Sequence, residues 1–136
     1  MQIVSVQPDR AQVVTDSGVT LTCVGVRQMP VQKMLFDMGL ADMTPENASS
    51  ALTAMPPEQQ ARTTRAALAL FNYAMGYGVV ESPPPEAIAE LRELGLTFTS
   101  QAALRAAWLN YFVLSDAAEA GELVGVILRL TFQQGG

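Results

Sequence analysis

The spacing of apolar residues changes once along the chain, near Pro30, and this change constrains the fold most. Before it, the segments QIVSVQ and VTLTCVGV alternate apolar and polar positions and are rich in Val, Ile and Thr, which is typical of β-strands. Pro8-Asp9 and Asp16-Ser17-Gly18 are turn signals, and Gly18 can adopt the positive φ that closes a short hairpin. We therefore predict three antiparallel strands near Ile3–Val6, Gln12–Thr15 and Val19–Val26.

After Pro30 the apolar residues follow a helical period, and caps, prolines and glycines divide the helices. A first short helix places Val31, Met34, Leu35 and Met38 on one face and ends at Gly39. Further helices are predicted to begin at Thr44-Pro45, at Pro57, at the prolines after Ser82, at Thr99 or Ser100, and at Asp116. The helix that contains Trp108 is apolar on nearly every side, so we expect it to be central.

These patterns predict an α+β fold, in which a small antiparallel N-terminal sheet of about three strands packs on a mainly helical bundle. One domain is expected over residues 1–136, with a β-hairpin region at 1–28, a helical body at 29–132 and a frayed tail at 133–136. Asp116 and Glu119 have the spacing of a capping box at the start of the last helix.

The stretch FNYAMGYGVVESPPPE, from Phe71 to Glu86, interrupts the helical pattern with two glycines and three prolines. Gly76 is predicted to end a helix, and the prolines are predicted to open the next one. The segment between them is too short for a domain linker, so a stiff corner between helices is expected. Tyr77 and the two valines after Gly78 are apolar for a loop, so they either fill the core or meet a partner.

Composition excludes several classes of function. The chain has 136 residues, a net charge of −5, one cysteine and no histidine. The negative charge argues against binding to nucleic acid or to anionic lipid, and no apolar run approaches the roughly 20 residues that span a bilayer. Without histidine, Ser-His-Asp and Cys-His catalysis and most zinc sites are excluded. We therefore expect no enzyme, metal or cofactor, and we expect Cys23 to be a buried strand residue.

Candidate partner-binding residues come from the methionine-rich segment after the sheet. Met34 and Met38 are one helical turn apart, and Phe36 points away from the face that they share with Val31. Methionines adapt to partners, although a core face lined by methionine explains the same spacing. Three more candidates complete the set, namely Tyr77 in the corner and Arg62 and Arg65 on the helix before it.

Two segments, FNYAMGYGVVESPPPEAIAELRELG and RAAWLNYFVLSDAAEAGELVGVILRL, resemble parts of small proteins encoded by tailed bacteriophages. Over roughly Phe71 to Leu130 the chain is similar to tail-assembly chaperones and other minor tail or head–tail proteins. The resemblance implies a non-enzymatic protein that binds phage structural proteins, such as tail tube, tape measure or connector, in the host cytoplasm. It supplies no catalytic residues, and the chain lacks the long charged C-terminal extension of a typical chaperone.

Two hypotheses follow. The first is a protein-interaction module of phage tail assembly, acting as a chaperone or as a minor virion component, with homo-oligomer formation left open. On this hypothesis Phe36→Asp should preserve folding and weaken self-association or the capture of a tail protein. The alternative is a small helical domain that binds a small apolar ligand in a pocket of methionine and aromatic side chains.

Overall fold

Three antiparallel strands form the N-terminal sheet, in the order β1 (Gln2–Val6), β2 (Arg10–Val14) and β3 (Thr20–Val24). The backbone N–H of Gln7 donates to the carbonyl oxygen of Arg10 at 2.7 Å and closes the predicted turn at Pro8-Asp9. Gly18 has a φ of +88° in the second turn. The three predicted strands and their turn residues are therefore confirmed, and a register irregularity between Ile3 and Ser5 interrupts the alternation in β1.

The structure is a computed structural model that describes residues 1–37 and 57–134, with side chains described for 1–37 and 68–133. The predicted helix stop at Gly39, the candidate Met38 and the predicted helix start at Thr44-Pro45 lie outside the described residues. Arg62 and Arg65 lie on a described helix, but their side chains lie outside the described set.

Five α-helices follow the sheet in the described residues, and the predicted α+β class is confirmed. Ser100 caps α4 because its hydroxyl accepts the N–H of Ala103 at 3.1 Å, and Gly95 adopts a φ of +83° after α3. A π-helical turn, Leu109–Val113, follows α4 directly. The helices are α1 (Gln28–Asp37), α2 (Pro57–Gly78), α3 (Pro85–Glu93), α4 (Gln101–Trp108) and α5 (Ala117–Gln134).

The prediction that Gly76 ends a helix is wrong, because α2 continues to Gly78. Both glycines lie where another helix approaches closely. A Cβ atom on Gly76 would lie 2.7 Å from the carbonyl oxygen of Ala102 on α4, and one on Gly78 would lie 2.5 Å from Cγ2 of Ile127 on α5. Their role is therefore close helix packing, which takes precedence over the tendency of glycine to break a helix.

The corner after α2 also extends the sheet. Val79 forms an antiparallel bridge with Cys23, and the N–H of Val80 donates to the carbonyl oxygen of Thr22 at 3.0 Å. The Arg105 guanidinium holds the corner from α4, where it donates to the carbonyl oxygens of Gly76 at 2.6 Å and Glu81 at 2.8 Å. The corner is thus tied to both the sheet and the helices.

The core lies between the inner face of the sheet and α2, α4 and α5. Its fully buried side chains include Leu21, Met75, Leu109, Leu123 and Ile127. The apolar residues along one side of α5 are buried, namely Ala120, Leu123, Val124, Ile127, Leu128 and Leu130.

The expectation that the Trp108 helix is buried on every side is only partly correct. Trp108 is 7% exposed, but Tyr111 is 59% exposed. Tyr111 lies in the π-helical turn, where the N–H of Leu114 donates to the carbonyl oxygen of Leu109 at 2.8 Å. Leu109 and Val113 are four positions apart and lie on the buried side, and Tyr111, two positions from each, lies on the opposite, exposed side.

Candidate partner-binding surface

Two large apolar side chains project from α1 into solvent. Met29 is 81% exposed and Phe36 is 71% exposed. They are seven positions apart, which is close to two helical turns, so they lie on the same face of α1. Lys33 is exposed between them. We call Met29, Lys33 and Phe36 the α1 surface.

The opposite side of α1 packs into the protein. Val31 is fully buried, and Leu35 is 7% exposed. Met34 is half-buried and packs against the core, so it lies away from the α1 surface. The predicted outward direction of Phe36 is confirmed, whereas Met29 was not among the candidates. Its i, i+7 spacing from Phe36 is the signal that could have found it.

Hydrogen bonds to Thr131 of α5 fix the start of α1. The Thr131 hydroxyl accepts the N–H of Val26 at 3.0 Å and donates to the carbonyl oxygen of Ile127 at 2.7 Å. The side-chain amide of Gln28 donates to the carbonyl oxygen of Thr131 at 2.9 Å. Thr131 itself is 1% exposed, and its bonds to Val26 and Gln28 are partly buried. Together with Val31 and Leu35 they hold the α1 surface in a defined orientation.

A second apolar surface lies at the end of α2, where Tyr77 is 57% exposed and Val80 is 54% exposed. The rings of Tyr73 and Tyr77 lie 5.0 Å apart between centroids at an angle of 47°, which is a favourable aromatic arrangement. Val79, which lies between Tyr77 and Val80 in the sequence, is buried. In the corner Val79 therefore fills the core and Tyr77 remains exposed, and contact of Tyr77 with a partner stays a prediction.

The Cys23 thiol has a structural role. Cys23 is fully buried, and burial, together with the charge of Glu81, raises the pKa of its thiol to about 12. A thiol of that pKa is a poor nucleophile near neutral pH.

The carboxylate of Glu119 is 2% exposed and accepts the backbone N–H groups of Asp16 at 2.8 Å and Ser115 at 2.9 Å. The Asp116 carboxylate accepts the N–H of Glu119 at 2.8 Å, so the predicted capping box forms with Ser115 in place of the usual N-cap N–H. The amino group of Met1 lies 3.4 Å from Glu119 Oε2 and 2.6 Å from Asp16 Oδ1. Glu119 thus joins the second hairpin turn to α5, a role that its spacing alone did not reveal.

Among the described residues, no three His, Cys, Asp or Glu side chains are placed to hold a metal ion. No helix in the described ranges is both long and apolar enough to cross a membrane.

An open depression of about 680 Å³ lies between the end of α3 and the start of α4. Ile88, Leu96, Phe98 and Leu104 line it together with Arg92 and the polar residues Thr97 to Gln101. A pocket for an apolar ligand was expected to be enclosed by methionine and several aromatic side chains. This depression has one aromatic side chain and a mixed polar lining, so it does not favour the ligand hypothesis.

Comparison of the chain with protein-family models, with curated proteins and with solved structures gave no match.

Proposed function

We propose that this protein is a non-enzymatic interaction module that binds a structural protein during assembly of a bacteriophage tail, in the host cytoplasm. The observation that carries the interaction role is the α1 surface. Met29 and Phe36 are largely exposed although the helix that bears them is well anchored. The phage context rests on the resemblance of Phe71–Leu130 to small tail proteins.

The physical argument begins with the cost of leaving these side chains in water. Burial of a Phe or Met side chain contributes roughly 1.5–3 kcal/mol, and the chain forgoes this at two positions on one helical face. Charged residues make up only 15% of the sequence, so few charged groups are available to keep a partner away. A helix that presents apolar side chains at i and i+7 suits a hydrophobic groove on the partner. The proposed partner is therefore a tail protein with such a groove.

The test compares Phe36→Asp with Leu94→Asp. Both residues are exposed, at 71% and 62%, and both substitutions exchange a large apolar side chain for a carboxylate. Leu94 is the C-cap residue of α3 and so belongs to a different helix from the α1 surface. Each tagged variant is incubated with lysate from phage-infected cells, and captured tail proteins are identified and quantified against wild type.

We expect both variants to keep the circular dichroism spectrum of wild type. Phe36→Asp should reduce capture of the tail protein at least tenfold, as expected when a central contact residue is lost, and Leu94→Asp should not. If folded Phe36→Asp captures the tail protein as well as wild type does, the α1 surface is not the binding site. If wild type captures no tail protein, the proposed function is wrong.

A further inference from the structure

The two outer edges of the sheet differ, because the corner after α2 covers the β3 edge. The carbonyl oxygen of Thr22 accepts the N–H of Val80 at 3.0 Å, and the N–H of Thr22 donates to Oε1 of Glu81 at 2.6 Å. The bridge between Cys23 and Val79 lies beside them. The outward N–H and C=O of Thr22, in the middle of β3, are therefore not free to pair with another strand.

The outer edge of β1 has no partner strand in residues 1–37 and 57–134. Gln7 donates its N–H to Arg10, and hydrogen-bonded pairs alternate with non-hydrogen-bonded pairs along an antiparallel ladder. Val6, opposite Ala11, is therefore a non-hydrogen-bonded position. Its own N–H and C=O point away from β2, toward the open edge. The sequence of β1, QIVSV, contains no charge and no proline, two of the features that commonly protect an edge strand. A third, a register irregularity, lies between Ile3 and Ser5 and precedes Val6.

The inner face of β1 is uncovered as well. Ile3 pairs with Val13 and Val6 pairs with Ala11, so each lies on the same side of the sheet as a core residue. Val13 and Ala11 are at most 1% exposed, whereas Ile3 is 46% and Val6 is 65% exposed. The helical layer therefore covers β2 and stops short of β1. This leaves an apolar overhang beside an open strand edge.

We propose that two copies of this chain associate by antiparallel pairing of β1 with β1, which joins their sheets into one sheet of six strands. In residues 1–37 and 57–134 the sheet has one open edge and one covered edge, so pairing through the open edge uses the same strand in both copies. Such an isologous contact closes at two copies and does not grow into a filament. Because the net charge is −5, two copies repel, and the uncharged β1 strand is a place where they can meet without opposing like charges.

The expected dimer is weak. Each β1 has five residues, and pairing two such strands buries less than the roughly 1,200 Å² of a standard interface. We therefore expect a dissociation constant in the micromolar range or above. This inference does not depend on the proposed function, which uses the α1 surface.

Analytical ultracentrifugation tests the proposal between about 5 µM and about 500 µM protein, a range that spans such an affinity. Wild type should shift from monomer toward dimer and no further. Val6→Lys places a charge at the open edge and should shift the dissociation constant upward at least tenfold, and Val4→Lys, also on β1, provides a second variant. Leu94→Lys is the matched control, since Leu94 and Val6 are 62% and 65% exposed, and it should dimerise like wild type.

Amide hydrogen exchange locates the contact. The N–H of Val6 should exchange fast in dilute wild type and become protected as the concentration rises, and Leu94→Lys should show the same protection. Phe36→Asp should dimerise like wild type, which separates this contact from the α1 surface. Wild type that remains monomeric at the highest concentration, larger oligomers, or a dimer that both lysine variants in β1 leave intact would each overturn the proposal.

Discussion

Replacing Gly78 with alanine should destabilise the protein, because α2 and α5 meet at this glycine. The new Cβ would lie 2.5 Å from Cγ2 and 2.9 Å from Cδ1 of Ile127, well inside van der Waals contact. Ile127 is fully buried, so its side chain cannot move into solvent. Overpacking of a core costs about 1–3 kcal/mol, and the helix-forming advantage of alanine returns at most about 1 kcal/mol. We expect a net loss of about 1–2 kcal/mol.

Gly125→Ala is the matched control because it is also a helical glycine-to-alanine change. A Cβ on Gly125 meets no atom within 4 Å, so the same substitution should stabilise the protein by about 0.5–1 kcal/mol. Denaturant unfolding followed by circular dichroism measures both changes. The two substitutions should therefore move the unfolding midpoint in opposite directions.

A double-mutant cycle with Ile127→Ala isolates the contact. Ile127→Ala removes the three side-chain atoms nearest to Gly78 and should cost about 2–5 kcal/mol alone. In the double variant the methyl group introduced at position 78 enters the space left by the isoleucine, so the two losses should not add, with a coupling of about 1 kcal/mol or more. If Gly78→Ala is as stabilising as Gly125→Ala, the helices do not meet there and close packing does not explain the glycine.

Three further substitutions test the core and its hydrogen bonds. Trp108→Ala removes a side chain that is 7% exposed and should cost about 3–5 kcal/mol in chemical denaturation; a loss below about 1 kcal/mol would show that Trp108 is not central. Burial raises the pKa of Cys23 from 9.0 to about 12, so the unfolded chain loses this proton first. Stability should therefore fall above pH 9, approaching about 1.4 kcal/mol per pH unit, and Cys23→Ala should lack that component. Thr131→Val leaves the N–H of Val26 without its acceptor and should cost about 1–3 kcal/mol, and an unchanged denaturation midpoint would contradict this.

The sheet was predictable because the signals that specify it are local. Alternation of apolar and polar residues defines a strand within a few positions, and Gly18 marks a turn through its own backbone freedom. Helix starts at Ser100 and Asp116 were predictable for the same reason, since each cap bonds to a backbone group three residues away. The exit at Gly95 likewise depends on its own positive φ.

Gly76 and Gly78 could not be assigned correctly from the sequence, because their role depends on residues far along the chain. Their neighbours are Ala102 and Ile127. The residues next to the glycines in the sequence carry no pattern that predicts the close approach of α4 and α5. The exposure of Tyr111 was hidden for a related reason. Apolar residues lie on nearly every side of this helix, so the pattern alone could not show that the neighbouring elements leave Tyr111 exposed.

Apolar pattern and burial separate most clearly at the two surfaces to which we assign binding roles. Phe36 could be placed outward from its angle to Val31, because the position of a residue on one helix is a local property. Val6 could not, since it is an apolar strand residue like Val13 and faces the same side of the sheet. Only the extent of the helical layer distinguishes them, and that extent depends on the whole fold. Val6 is apolar and faces the core side of the sheet, yet it is 65% exposed. It therefore marks a position where an apolar side chain has no covering layer within the described part of its own fold, as expected at a binding surface.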